Sequence, residues 1–200
     1  MSPTLLSIFE WTAVVLGLAY VFLLAREKAW AWPAGILGSA LSMAVLLDAK
    51  LYNDVWLYGL YVVLGFYGWY LWTWGKSEQQ ARPVVQTPLK EALTLGLAGL
   101  LGTMVLGYLF SRYTDADIPY VDAFTSSFSV VGTYMQARKH LQNWLLWQVV
   151  NTVYIGVYAY KGLYAFAGLS AIYLVLAVDG YRRWKTALAS QHQEASVTEA

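Results

Sequence analysis

Two tryptophans and two carboxamides recur at helical spacing near the middle of the second half of the chain. Trp144, Trp147, Gln148 and Asn151 are three or four residues apart, so a helix places them along one stripe. Indole faces stack on flat rings or contact a cationic ring, and amides both donate and accept hydrogen bonds. The stripe therefore predicts a site for a flat, polar ring system. The alternative is structural, with amides joining helices and an interfacial pair of tryptophans.

Two further side chains are candidates because they lie near this stripe in the predicted layout. Gln136 ends the preceding apolar segment, where a helix cap or a helix contact is the alternative role. Tyr67 begins a Tyr-Gly-Trp-Tyr run, whose rings are expected to line a vestibule or to belong to an aromatic belt. The predicted substrate-binding set is Trp144, Trp147, Gln148, Asn151, Gln136 and Tyr67.

Three carboxylates fall within or beside apolar segments. Glu10 and Asp122 are candidates for proton carriers, for partners of each other or for acceptors of a ligand hydroxyl; a position in the headgroup region is the alternative. Asp179 precedes Arg183 by one helical turn, which predicts a local ion pair.

Patterns for catalysis, metal binding or ATP hydrolysis are not recognisable in the sequence. Cysteine is absent, and His140 and His192 lie in a predicted loop and in the C-terminal tail. We find no phosphate-binding glycine loop and no serine–histidine–aspartate grouping. We therefore expect no enzyme activity, no cofactor and no metal.

The composition identifies the elements that must position these side chains. Of the 200 residues, 58% are hydrophobic and 12% are charged, whereas soluble domains carry about 25% charged residues. The net charge of +1 and the lack of a basic patch argue against a nucleic-acid partner. These values indicate an integral membrane protein whose main partner is the lipid bilayer.

Seven segments are long and apolar enough to be transmembrane helices, each needing roughly 20 residues. They cover residues 5–25, 31–49, 52–74, 89–110, 118–136, 143–160 and 163–181. Because the apolar runs do not alternate in polarity, we predict helices rather than strands of a barrel. Residues 186–200 are predicted to be a flexible cytoplasmic tail.

Basic residues predict the orientation in the membrane, because they are enriched in cytoplasmic loops. Three of them, Lys50, Arg112 and Lys161, fall on the side of the N-terminus. Ten fall on the opposite side: Arg26, Lys28, Lys76, Arg82, Lys90, Arg138, Lys139, Arg182, Arg183 and Lys185. The N-terminus is therefore predicted outside and the C-terminus in the cytoplasm.

The sequence repeats itself at an offset of 112 residues without a gap. The matched pairs are Arg26 with Arg138, Trp32 with Trp144, Tyr61 with Tyr173, Gly68 with Gly180, Trp72 with Trp184, and Glu10 opposite Asp122. We predict a single transporter domain over residues 1–185. It contains a first repeat at 5–75, a linker helix at 89–111 and a second repeat at 117–185. Four spans separate the starts of the two repeats, so they are parallel, an arrangement found in transporters that bind substrate between repeats.

The motifs resemble those of one known family. Ala137-Arg-Lys139, followed by Asn143-Trp-Leu-Leu-Trp147 and Asn151, resembles the sixth-helix signature of the PnuC vitamin transporters. Residues 67–72 resemble their third-helix signature, and residues 119–123, 162–164 and the Glu27-Lys28 turn also fit. The resemblance covers about residues 5 to 185.

This resemblance implies an all-α, three-plus-one-plus-three helix fold related to the SWEET sugar transporters. It also implies a homotrimer in the bacterial cytoplasmic (inner) membrane that takes up nicotinamide riboside by facilitated diffusion, with a cytoplasmic kinase trapping the product. The motif positions carried over are Trp144, Trp147 and Asn151. Two departures, Gln142 for a frequent Glu and Tyr58-Gly59 where some members carry Gln or Asn, leave thiamine or riboflavin open as alternative substrates.

Overall fold

The described part of the chain folds into seven α-helices connected mostly by short turns. The computed structural model describes residues 1–48, 52–75 and 83–198, so the predicted loop cations Lys50, Lys76 and Arg82 lie outside the described residues. The helices are α1 (Pro3–Ala25), α2 (Ala31–Asp48), α3 (Tyr52–Thr73), α4 (Leu89–Tyr113), α5 (Pro119–Ala137), α6 (Asn143–Tyr160) and α7 (Tyr164–Thr198). Apart from the end of α7, they match the predicted segments to within a few residues.

The helices have the length and composition of a membrane protein. By those two criteria, four described stretches are suited to crossing a membrane: Pro3–Ala25, Ala31–Asp48, Leu89–Tyr113 and Tyr164–Gln191. The other three helices, α3, α5 and α6, are less apolar because they are rich in Tyr and Trp or in Ser, Thr, Asn and Gln. Over the residues that the structure describes, the protein is thus an all-α membrane protein with seven helices, as predicted.

The packing of the helices follows the 112-residue repeat. Adding 112 to the residue numbers converts α1, α2 and α3 into α5, α6 and α7. The two units meet where α3 packs against α5 and where α1 packs against α7. These two contacts are equivalent, because the repeat relates α1 to α5 and α3 to α7. The linker helix α4 packs on α5. The structure therefore has the contacts expected of two equivalent three-helix units.

Four tryptophans, which we term the tryptophan cluster, occupy the core at one end of the bundle. Trp32 meets Trp72 edge-on at 5.6 Å between ring centroids, and Trp144 meets Trp184 edge-on at 5.3 Å. Trp72 and Trp184 also contact each other at 6.1 Å, so the two pairs join across the repeats. We call this end of the bundle, which holds the α1–α2 and α5–α6 turns, the basic end, and the opposite end the distal end.

Glycines allow the cluster to pack closely against the helices. A Cβ at Gly180 would lie 2.6 Å from the Trp144 ring, and one at the equivalent Gly68 would meet the Trp32 ring. The indole N–H groups of Trp72 and Trp184 donate to backbone oxygens of the other repeat, at Ala137 and Leu24 respectively. These cross-repeat bonds fix the basic end.

An ion pair joins the two repeats beside the tryptophan cluster. The Lys139 Nζ atom lies 2.6 Å from a carboxylate oxygen of Glu27 and 4.6 Å from the centroid of the Trp72 ring. Residues 27 and 139 are exactly 112 apart, and both adopt left-handed backbone conformations, with φ of 55° and 56°. The repeat therefore places two equivalent turn residues of opposite charge against each other.

The segment before α4 and the end of α7 also cover the basic end. Val84 is buried, and Val85 exchanges backbone hydrogen bonds with Lys139 and Leu141 in the α5–α6 turn. Helix α7 continues to Thr198, beyond the predicted end of its span and into the predicted tail. This extension has no proline or glycine after Gly180, and it buries Leu188 against the core.

Candidate functional site

A cavity of about 460 Å³ lies between the two repeats, within the usual range for small-molecule sites of about 300–1,000 Å³. Six helices line it; α4 contributes none of the lining residues. The lining extends from Glu10 and Phe166 towards the distal end to Trp32 and Trp144 in the tryptophan cluster. Glu10 is exposed, whereas both tryptophans are 1% exposed, so the cavity is closed at the basic end.

The structure brings four of the six predicted site residues to this cavity. Trp144, Trp147 and Asn151 line it from α6, and Gln136 lines it from the end of α5. Tyr67 does not belong to the lining; its ring stacks on Tyr134 at 6.2 Å, on the α3–α5 contact.

Gln148 also lies outside the cavity lining, although it was predicted to share the stripe. Successive helical residues are rotated by about 100°, so Gln148 points well away from its neighbour Trp147. The cavity faces the side of α6 centred between Trp147 and Asn151, which leaves Gln148 at the margin of the stripe. The spacing of three and four residues was too broad a criterion to exclude it.

Trp147 forms much of the α6 wall. Its indole edge packs against Gly132 of α5, where a Cβ would lie 3.0 Å from the indole nitrogen. That nitrogen is buried and has no hydrogen-bond partner among the described residues. Asn151 donates from its amide to the Trp147 carbonyl oxygen at 2.7 Å, which holds the amide on the same wall.

Gln136 is held by a tyrosine from the other repeat. The Tyr20 hydroxyl donates to the Gln136 side-chain oxygen at 3.0 Å, and the Tyr20 ring meets Trp32 edge-on at 5.8 Å. Gln136 itself is buried. This bond crosses between α1 and α5, so both repeats contribute to the position of one amide.

The carboxylates have separate roles in the structure. A carboxylate oxygen of Asp122 lies 3.6 Å from the Lys161 Nζ atom. Glu10 lines the cavity and does not pair with Asp122. Asp179 accepts from Arg183 at 2.7 Å, which confirms the predicted local ion pair. Among the described residues, no group of three or more His, Cys, Asp or Glu side chains is placed to hold a metal ion.

Several lining residues were not identified from the sequence. They are chiefly tyrosines and serines on the other helices: Tyr20, Ser39, Ser42, Tyr61 and Tyr173. The repeat offset is the signal that could have found some of them, because Ser39 and Ser42 correspond to Asn151 and Tyr154. Tyr20 has no such signal, since its equivalent position is Gly132.

The chemistry of the cavity is that of rings, amides and hydroxyls. Glu10 is the single charged side chain among the described residues that line it, and no Lys, Arg or His contributes. Such a wall can stack a flat ring, favour positive charge and hydrogen-bond polar substituents. It offers no cation for a phosphate group.

Comparisons with known proteins agree with the fold and indicate a family. Residues 7–186 match the family model described as nicotinamide mononucleotide transporter. The chain is 24% identical over 204 residues to the nicotinamide riboside transporter PnuC of Escherichia coli (strain K12), covering 90% of this chain and 85% of that protein. It is 29% identical over 173 residues to the riboflavin/roseoflavin transporter RibM of Streptomyces davaonensis, covering 85% and 81%. A crystal structure of the vitamin B3 transporter PnuC is similar in fold, with a TM-score of 0.74 and 22% identity over 92% of this chain and 83% of that chain.

Proposed function

Because the chain belongs to the nicotinamide mononucleotide transporter family, we propose that it takes up nicotinamide riboside across the bacterial inner membrane. The substrate's flat pyridinium ring stacks on Trp147, the one of the two predicted tryptophans that is not fully buried, while Trp144 closes the floor of the cavity. Asn151 and Gln136 hydrogen-bond its carboxamide or its ribose. Gln148 and Tyr67, which do not line the cavity, are left out of this set.

The charge of the cavity wall is the observation that carries this proposal. A pyridinium riboside is a cation, and indole faces together with one carboxylate favour a cation. A mononucleotide adds a phosphate, which proteins usually bind with Arg, Lys or a row of backbone N–H groups. The described lining contains no Arg or Lys, so the riboside fits better than its phosphate.

Riboflavin is a second candidate, because the riboflavin/roseoflavin transporter RibM is 29% identical to this chain. Its ring system is flat and its tail carries hydroxyl groups, which suits the same rings and amides. Thiamine, the alternative inferred from the motif departures, is also a flat cation. Relative affinity for the three vitamins separates these candidates.

Substrate crosses the membrane as the two repeats rock about the central cavity. The cavity reaches Glu10 towards the distal end and is closed at the basic end by the tryptophan cluster and the Glu27–Lys139 ion pair. The excess of basic residues supports an orientation with the basic end and the C-terminus in the cytoplasm. In this orientation the structure is closed towards the cytoplasm. No energy source is coupled to movement; accumulation comes from phosphorylation by a cytoplasmic kinase.

The proposal includes a homotrimer, as the family resemblance implies. Helix α4 packs on α5, and much of the rest of its surface exposes apolar side chains such as Leu97, Leu101 and Met104. This surface is suited to lipid or to a neighbouring subunit.

Binding selectivity tests the proposed substrate. We expect purified protein in detergent to bind nicotinamide riboside at least about 100-fold more tightly than its 5′-phosphate, because the phosphate would be buried without a cation. Isothermal titration with the riboside, the phosphate, thiamine and riboflavin gives the four affinities directly. Equal or tighter binding of the phosphate would contradict the reading of the cavity charge, and tighter binding of riboflavin or thiamine would reassign the substrate.

A further inference from the structure

The two repeats line the cavity with equivalent positions of α2 and α6. Trp32 and Trp144 are 112 residues apart and both belong to the lining. The same holds for Gly35 with Trp147, Ser39 with Asn151, Ser42 with Tyr154, and Leu46 with Tyr158. The two helices therefore form opposite walls that are alike in position.

The walls are unlike in side-chain volume. Where α6 carries Trp147, Asn151 and Tyr154, α2 carries a glycine and two serines. The space at Gly35 is already occupied by the Tyr20 ring, since a Cβ there would lie 2.8 Å from it. Ser39 and Ser42, which are three residues apart and share a face of α2, border the open volume of the cavity.

The hydroxyl groups on this wall are not used within the described part of the chain. Thr73, Thr133 and Thr152 each donate to the carbonyl four residues earlier, the usual partner of a hydroxyl within a helix. Ser39 and Ser42 make no such bond, nor any other, to the described residues. Both hydroxyls are thus available to the contents of the cavity.

Two indole groups close the bottom of the cavity. Trp32 and Trp144 are each 1% exposed, and neither indole nitrogen has a hydrogen-bond partner among the described residues. These nitrogens do not open onto the cavity, so the polar contacts of a ligand come from the side walls.

We propose that Ser39 and Ser42 bind the hydroxylated tail of the vitamin while its ring lies against the α6 wall. This inference rests on the proposed function, because it assumes a ligand with a flat ring and a hydroxyl-bearing tail. The ligand then lies across the cavity with its ring on one repeat and its sugar on the other. The α2 wall would select for the tail, and the α6 wall for the ring.

The test compares nicotinamide riboside with N-methylnicotinamide, which keeps the cationic ring and replaces the sugar by a methyl group. We expect S39A and S42A each to weaken riboside binding by about 3- to 10-fold, as loss of one neutral hydrogen bond does. The double variant is expected to weaken it by at least about 10-fold, and binding of N-methylnicotinamide by less than about twofold. Competition titration on the full-length protein in detergent provides both values. If riboflavin proves to be the tighter ligand, riboflavin and lumiflavin form the matched pair.

A second pair of variants tests the open volume. S39L fills the space in front of the α2 wall and is expected to prevent riboside binding. Its control, A40L, adds a similar side chain at the neighbouring exposed position and is expected to leave affinity unchanged.

The outcomes separate this inference from the proposed function. If the unaltered protein binds none of the vitamins, the proposed function fails and the inference fails with it. If it binds one of them, but the serine variants bind as tightly as before, the inference alone is overturned. Equal losses for the riboside and its methyl analogue would also overturn it, because the serines would then act on the ring.

Discussion

Replacing Trp147 by alanine is expected to weaken binding of nicotinamide riboside by about 30- to 100-fold, equivalent to about 2–3 kcal/mol for a stacked, cationic ring. Trp147 supplies the largest ring on the α6 wall, and its edge is fixed against Gly132. Removing the indole takes away the stacking surface, while the bond from Asn151 to the backbone carbonyl of residue 147 is kept. Isothermal titration of the purified variant measures the loss.

Two further variants show that the effect belongs to the site. Trp147→Phe keeps a smaller ring and is expected to retain an intermediate affinity. Trp11→Ala removes an indole that is 70% exposed and does not line the cavity, so it should bind as tightly as the unaltered protein. Unchanged affinity in Trp147→Ala, with a folded protein, would exclude Trp147 from the site.

Replacing Lys139 by methionine is expected to lower the free energy of unfolding by about 2–3 kcal/mol, somewhat below the roughly 3–5 kcal/mol for a fully buried pair. The Lys139 side chain is 4% exposed and that of Glu27 is 29% exposed, so the carboxylate left behind is still partly hydrated. The substitution also removes the cation from the Trp72 ring. Unfolding in detergent, followed by tryptophan fluorescence, measures the change.

Exchanging the two charges provides the matched control. Because residues 27 and 139 are equivalent under the repeat, the double variant Glu27→Lys, Lys139→Glu restores the pair and places the lysine near Trp184 in place of Trp72. We expect this variant to regain most of the lost stability. If the double variant is no more stable than Lys139→Met, the charge pair does not hold the repeats together.

The fold was largely predictable because its signals are long and periodic. Seven apolar segments and an ungapped 112-residue repeat predict the helices and their pairing. The end of α7 was not predictable from hydropathy, because its last turns are polar and Leu188, which packs against the core at the basic end, stands among polar residues. A hydropathy window averages over neighbouring residues and does not detect a contact with another part of the chain.

Apart from Gln136 at the end of α5, the site was predictable only on the helix where polar and apolar residues are arranged in a recognisable motif. Trp144, Trp147 and Asn151 lie in α6, where amides and indoles interrupt the apolar pattern. Tyr20 could not be identified, because α1 is apolar on all sides and no face of it is distinguished. Its role depends on reaching Gln136 in the other repeat, a contact 116 residues away in sequence.

Uptake into vesicles tests the proposed mechanism most directly. Purified protein is reconstituted into vesicles that contain no kinase and no nucleotide, and labelled nicotinamide riboside is added outside. We expect the label to enter until the internal and external concentrations are equal, at a rate that a protonophore does not change. Enclosing a riboside kinase with ATP should then raise the retained label above that level. Uptake no faster than in protein-free vesicles, or uptake abolished by the protonophore, would contradict facilitated diffusion of the riboside.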